Sequence, residues 1–175
     1  YLYYVGGLRH YGYDWVVAVD ISDSTMPRVA GECAYSGGNY AITLDPSRPY
    51  LYATRYMMLE VFDISNPLAP VEVAQCSLRG SAPGITVRGH LAYVADYTEG
   101  LTVVDVANPG EPHVVGWYKD PDHNEMFDVA VIRNAAVLCN GDMGVWLLDV
   151  SDLVDIRLED KYDTPSSAER ICVFQ

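Results

Sequence analysis

An all-β fold built from repeated four-stranded units is what this sequence predicts, and three observations predict it. Tyrosine is abundant, 14 of 175 residues, and sits among Val, Ile, Leu and Thr; these side chains fit a pleated, half-buried surface. Sustained helical periodicity is absent. The nearest helix candidate, "SDLVDIRLEDKY" at 151–162, aligns with the repeats and reads as a turn followed by a strand. One pattern returns four times at a near-constant interval, which marks a repeat architecture.

The four copies are "VVAVDISDSTMP" (16–27), "LEVFDISNPLAP" (59–70), "LTVVDVANPGEP" (101–112) and "VWLLDVSDLVDI" (145–156). Their shared Asp serves as a ruler: Asp20, Asp63, Asp105 and Asp149 lie 43, 42 and 44 residues apart. Seven residues beyond the first three stand Pro27, Pro70 and Pro112, with Ile156 in the fourth place. Thirteen residues beyond stand Cys33, Cys76, Tyr118 and Tyr162.

The third unit shows the order of elements. "GITVRG" (84–89) is a short strand, a, and "HLAYVADY" (90–97) alternates in character and is strand b. "TEG" turns the chain into "LTVVDV" (101–106), strand c, apolar almost throughout and so expected to be covered on both faces. "ANPGEP" turns it again, with Asn, Pro and Gly in turn-forming positions, and "HVVGWYKD" (113–120) is strand d. Four short antiparallel strands in about 40–45 residues are the signature of a propeller blade. The expected architecture is a β-propeller with four repeats of about 43 residues, each of four antiparallel strands. The units fall near 1–38, 39–81, 82–123 and 124–166, with 167–175 as strand a of a further or closing blade. The repeated Asp ends strand c, where its carboxylate can accept from backbone N–H groups of the next turn. A catalytic acid is seldom needed four times, so its expected role is structural.

"LAYVADYTEGLTVVDVANPGEPHVVGWY" (91–118) resembles the LVIVD repeat of bacterial and archaeal propeller proteins, which are often secreted or attached to the cell surface. The second and fourth units match more loosely, and the first is interrupted. The resemblance implies the propeller fold and an extracellular or cell-surface location. It implies no single activity and carries over no catalytic residues.

"YLYYVGG" at the start reads as strand b and "ERICVFQ" at the end as strand a. Joined end to beginning, "RICVFQYLYYV" lies under "GITVRGHLAYV" without a gap, placing Leu2 under Leu91 and Tyr4 under Tyr93. Pairing of 171–175 beside 2–6 would close a ring of four. Crowding at the axis of so small a ring favours a piece of a larger propeller, completed by further blades or by self-association. The chain starts with Tyr rather than Met, so an upstream region is expected; no signal peptide is read within it.

A formal charge of −13 argues against nucleic acid, which needs clustered Lys and Arg, and against an anionic membrane surface. No apolar run approaches the ~20 residues of a membrane-spanning helix, so direct membrane insertion is not expected.

Turns between strands c and d are uniform, which suits a structural face. The b–c loops on the other face differ in every unit: "GGLRHYGYDW" (6–15), "TRYMM" (54–58), "DYTEG" (96–100) and "NGDMG" (140–144). Variable loops on a rigid scaffold are where binding residues concentrate. The candidate binding residues are Arg9, His10, Tyr11 and Tyr13 in the long first loop, Arg55 and Tyr56 in the second, Tyr97 in the third, and His123 in the acidic loop "DPDHNEMFD" (120–128). A longer hairpin packed on its own unit is the competing reading of 6–15. Asp120, Asp122, Asn124, Glu125 and Asp128 offer oxygen ligands for Ca²⁺, against the plainer reading of a solvated acidic loop. Otherwise no cofactor is implied. His10, His90, His113 and His123 do not share one face, so a three-histidine zinc site is not expected. The register separates Cys33, Cys76, Cys139 and Cys172, which read as small buried apolar residues rather than disulfide partners.

No nucleophilic elbow, phosphate loop or dinucleotide fingerprint is present. The expected function is a non-enzymatic binding scaffold that presents its variable loops to a protein or glycan partner. The alternative is a metal-assisted hydrolase at the channel mouth, using Asp128 and Glu125.

Overall fold

The computed structural model describes residues 1–7, 13–36, 38–121 and 125–173. Arg9, His10, Tyr11, Asp122, His123 and Asn124 lie outside the described residues, and Tyr13 is described in its backbone alone. Among the described residues there are fifteen strands in four antiparallel sheets, and no helix. The first sheet comprises β1 (Leu2–Gly7), β2 (Tyr13–Asp20) and β3 (Arg28–Ser36). The second comprises β4 (Asn39–Leu44), β5 (Tyr50–Arg55), β6 (Met58–Asp63) and β7 (Val71–Ser77). The third comprises β8 (Gly84–Arg88), β9 (Leu91–Asp96), β10 (Gly100–Asp105) and β11 (His113–Tyr118). The fourth comprises β12 (Asp128–Ile132), β13 (Ala135–Cys139), β14 (Val145–Asp149) and β15 (Arg157–Tyr162). Neighbours in sequence are neighbours in each sheet.

The expectation of four strands in every unit is corrected at the first, which has three. Strand β1 pairs with β2 alone, and residues 171–173 belong to no strand. The end-to-beginning alignment is also off by one residue. Leu91 pairs with Asp105 and Tyr93 with Val103, whereas in the first sheet Leu2 pairs with Val19 and Tyr3 with Ala18. Tyr3, not Tyr4, is thus the equivalent of Tyr93 and Tyr52. A one-residue slip exchanges the two faces of a strand: Tyr3 packs against the core between the first two sheets, while Tyr4 is 44% exposed.

The recurring motif builds the same turn four times. Asp20, Asp63, Asp105 and Asp149 accept through Oδ1 from the backbone N–H two residues on, at Ser22 (2.9 Å), Ser65 (2.8 Å), Ala107 (2.7 Å) and Ser151 (2.8 Å). A second link follows in each unit. Asp23, Asn66, Asn108 and Asp152 accept from the N–H of Thr25, Leu68, Gly110 and Val154 at 3.0–3.2 Å. Two consecutive side-chain turns replace backbone partners that the strands leave behind. The last two strands of every sheet shift register beside this turn, between Ala18 and Val19, Val61 and Phe62, Val103 and Val104, and Leu147 and Leu148.

These bonds favour the ionised carboxylate. Donation from the backbone of Ser22, Ser65 and Ser151 holds Asp20, Asp63 and Asp149 below the usual carboxylate range. A folded pKa below the unfolded one contributes stability above the unfolded value, near 3.9, and loses it as pH falls through the folded value. Asn can make the same turn without the charge. The double variant Asp63→Asn, Asp149→Asn is therefore expected to melt near the wild-type temperature at pH 7 but to lose less on acidification to pH 3. Equal acid losses in melts of the two proteins would refute this.

Strand alternation distributes side chains between successive interfaces. Leu51 packs toward the first sheet with Val16 and Phe62, and its neighbour Tyr52 toward the third with Ile85, Val94 and Val104. Leu101 and Val103 face the fourth sheet, where Val129, Leu138 and Trp146 meet them. Strand β10 is buried from Gly100 to Val104, as its apolar run predicted. Ile156, the departure from the Pro pattern, is also buried in this core. The sheets approach closely at two glycines of equivalent position. A Cβ on Gly31 would lie 2.3 Å from Pro67 O, and one on Gly116 would lie 2.5 Å from Leu153 O. Each brings an outer strand against the turn of the next sheet. Arg48 ties the second sheet to the third: its Nε donates to Asp45 (2.9 Å), Nη1 to Ala107 O (2.9 Å) and Nη2 to Val106 O (3.0 Å). Inner strands β4, β8 and β12 line a cavity of about 750 Å³, to which residues 170–173 contribute.

Candidate functional site

The b–c hairpins and the loops that cross between sheets meet on one face. Tyr97 bridges to Met126, and Gly141 bridges to Ala168, so each crossing loop docks on the hairpin of the sheet it leaves. Ala82 N donates to Tyr56 O (3.2 Å) in the same way.

Three buried polar residues anchor these loops, and sequence reading missed all three. Thr54, Asp96 and Asn140 stand nine residues before their motif Asp, at or just past the end of the second strand of their sheets. Thr54 donates through its hydroxyl to Ala82 O (2.6 Å). Asp96, fully buried, accepts from Gly80 N (2.8 Å), Arg79 N (3.1 Å) and the Thr102 hydroxyl (2.7 Å). Asn140 accepts from Glu125 N (2.8 Å) through Oδ1, while its buried Nδ2 has no partner among the described residues. Burial pushes the Asp96 carboxyl up, and the donors from Thr102, Arg79 and Gly80 pull it back in part. The signal was available as a recurring polar residue at the close of an apolar strand, obscured because the three side chains differ.

The described candidates divide between surface and interior. Tyr56 is 54% exposed, sits at φ 44° and meets the Tyr40 ring edge-on at 5.8 Å. Tyr97 sits at φ 26° with its ring 5.5 Å from Phe127. Met57 and Met143 are exposed on the hairpins of the second and fourth sheets. Arg55 turns instead to Glu60, its Nε 2.8 Å from Oε1. Glu60 is fully buried, its Oε2 has no partner among the described residues, and burial pushes its carboxyl up.

The acids proposed for Ca²⁺ take other partners where they are described. Asp120 accepts from Lys161 Nζ (3.0 Å). Asp128 accepts from Ile171 N (3.1 Å) and Val129 N (2.9 Å). Glu125 is exposed beside Tyr97. No group of three or more His, Cys, Asp or Glu converges among the described residues. All four cysteines are free thiols. Cys76 and Cys139 are buried as expected, and burial pushes the Cys139 thiol up to about 11. Cys33 is half-buried and Cys172 exposed, which corrects the reading of all four as buried; Cys172 lies in the segment that pairs with no strand.

Residues 45–77 and 79–120 match the family model of the LVIVD repeat. These segments carry the last three strands of the second sheet and all of the third, from the Asp45 turn to Asp120. No curated protein matches the chain.

Proposed function

This chain is an LVIVD-repeat protein, and we propose that it is a non-catalytic binding scaffold whose four sheets are blades of a β-propeller. The variable loop face engages a protein or glycan partner, in an extracellular or cell-surface setting, and needs no metal for this. One observation carries the reading. Tyr56 and Tyr97 both hold positive φ at the tips of adjacent b–c hairpins. Non-Gly residues in that region carry strain of about 1–3 kcal/mol, and such strain gathers at functional positions. At the position of Tyr97 the fourth sheet has Gly141, at φ 48°, which satisfies the turn freely. Keeping tyrosine there favours contact over stability, since Tyr supplies large, stiff contact area.

The test is binding of the purified chain to arrayed glycans and candidate surface proteins. Tyr56→Gly and Tyr97→Gly are expected to weaken binding at least tenfold while the protein melts no lower than wild type. Substitution of Ser24 or Glu111 in the uniform turns leaves binding intact. The opposite pattern, loss from the turn variants alone, would put the binding surface on the other face.

A further inference from the structure

The face assigned above to structure carries two cationic residues without a carboxylate partner among the described residues. Arg88 ends β8 and lines the inner cavity together with Thr86 and Gly89. Its Nη1 donates to the carbonyl of Arg133 at 2.8 Å, which joins the a–b turns of the third and fourth sheets. Both residues are exposed. Neither forms an ion pair among the described residues. Acids outnumber Lys and Arg by 24 to 11 in this chain, so two arginines left without an acid at neighbouring turns, among the described residues, are unexpected.

The backbone supplies an independent observation. Arg133 holds φ 56°. Its equivalent in the third sheet is Gly89, at φ 62°, where a Cβ would meet nothing within 4 Å. The two-residue turn demands left-handed backbone, and Gly meets the demand without strain. The fourth sheet keeps an arginine at that place, with a conformational cost and no acid to offset it.

We propose that Arg88 and Arg133 form an anion-binding mouth to the inner cavity, taking the carboxylate, phosphate-ester or sulfate-ester group of a small organic anion. A guanidinium presents parallel donors that match such oxyanions. The cavity, about 750 Å³, is lined by Arg88, Arg170 and Asp128, with Arg133 in the next turn outside that lining; its size lies within the range of small-molecule sites. The site lies opposite the variable loops and stands or falls separately from the scaffold reading.

Isothermal titration with citrate, glycerol 2-phosphate and sodium sulfate at low ionic strength tests it, with sodium chloride at matched ionic strength as the blank. Saturable binding of at least one oxyanion is expected, and which one binds identifies the group. Arg88→Gln and Arg133→Gly each weaken it at least tenfold. Without ligand, Arg133→Gly melts about 2–4 °C higher than wild type, because relief of roughly 1 kcal/mol gives that shift in a chain of this size. Absence of saturable binding to all three, unchanged affinity in Arg133→Gly, or a lower melting temperature for that variant would overturn the proposal.

Discussion

Gly116→Val is expected to cost about 3 kcal/mol or more and to separate the third sheet from the fourth. The new Cβ would lie 2.5 Å from Leu153 O, 3.1 Å from Leu153 Cβ and 3.2 Å from Ile156 Cδ1. The first is a backbone carbonyl in a turn held by the Asp152 side chain, so it cannot rotate away as a flexible side chain does. Relief requires the whole turn to shift, which opens the core containing Trp146, Leu148 and Ile156. Overpacking of a rigid site costs about 1–3 kcal/mol, and loss of neighbouring contacts adds to it. Ala74 stands at the equivalent place in β7, paired with Val61 as Gly116 is paired with Val103. That interface already accepts a Cβ, so Ala74→Gly is expected to cost only about 0.5–1 kcal/mol. Urea denaturation compares the two. A midpoint for Gly116→Val equal to that of wild type would show that the sheets do not depend on this approach.

Asp96→Ala is expected to cost about 3 kcal/mol or more by releasing the loop between the second and third sheets. The carboxylate satisfies Gly80 N, Arg79 N and the Thr102 hydroxyl at once. Its removal leaves donors without acceptors, each costing about 1–3 kcal/mol where water does not reach. Asp96→Asn preserves shape and separates the charge from the hydrogen bonds. Burial raises the Asp96 pKa in the fold. A carboxyl raised above its unfolded value contributes stability that is full below that value, near 3.9, and is lost as pH rises through the folded value. The advantage of wild type over Asp96→Asn should therefore be larger at pH 4 than at pH 7. Denaturation at the two pH values checks this, and an advantage that grows toward pH 7 would reverse the assignment.

Much of the fold was legible because its information is local. The repeated Asp reaches only two residues along the chain, so spacing alone shows the turn. Strands a to d of the third unit follow from alternation and from turn residues within about forty positions. The companion turn at Asp23, Asn66, Asn108 and Asp152 was equally present in the pattern, and the alternation of Asp and Asn hid it. The candidate site was legible only in part. Tyr56 and Tyr97 were singled out because they lie in loops that differ between units, but Arg55 sits in such a loop too and turns inward to Glu60. Loop position says that a residue is available, and burial of a partner carboxylate decides where its charge goes.

The sequence by itself determined the all-β class, the repeat of about 43 residues, the order of strands within a unit and the structural role of the motif Asp. Each rests on hydrogen bonds or side-chain alternation within one hairpin, interactions that close over a few residues at small entropic cost. Only the tertiary structure decided that Tyr3 rather than Tyr4 faces the core, that among the described residues 171–173 leave the second edge of β1 without a strand, and that Asp96 holds a loop sixteen residues away. It also brought Arg88 to Arg133, 45 residues distant in the chain. The equivalents of Gly31, Ala74 and Gly116 end with Asp160, exposed on β15, where the sequence repeat continues but the close packing of the earlier sheets does not. Contacts of this range depend on how one sheet lies against the next, and that is set by the summed packing of both faces rather than by any residue's neighbours in sequence.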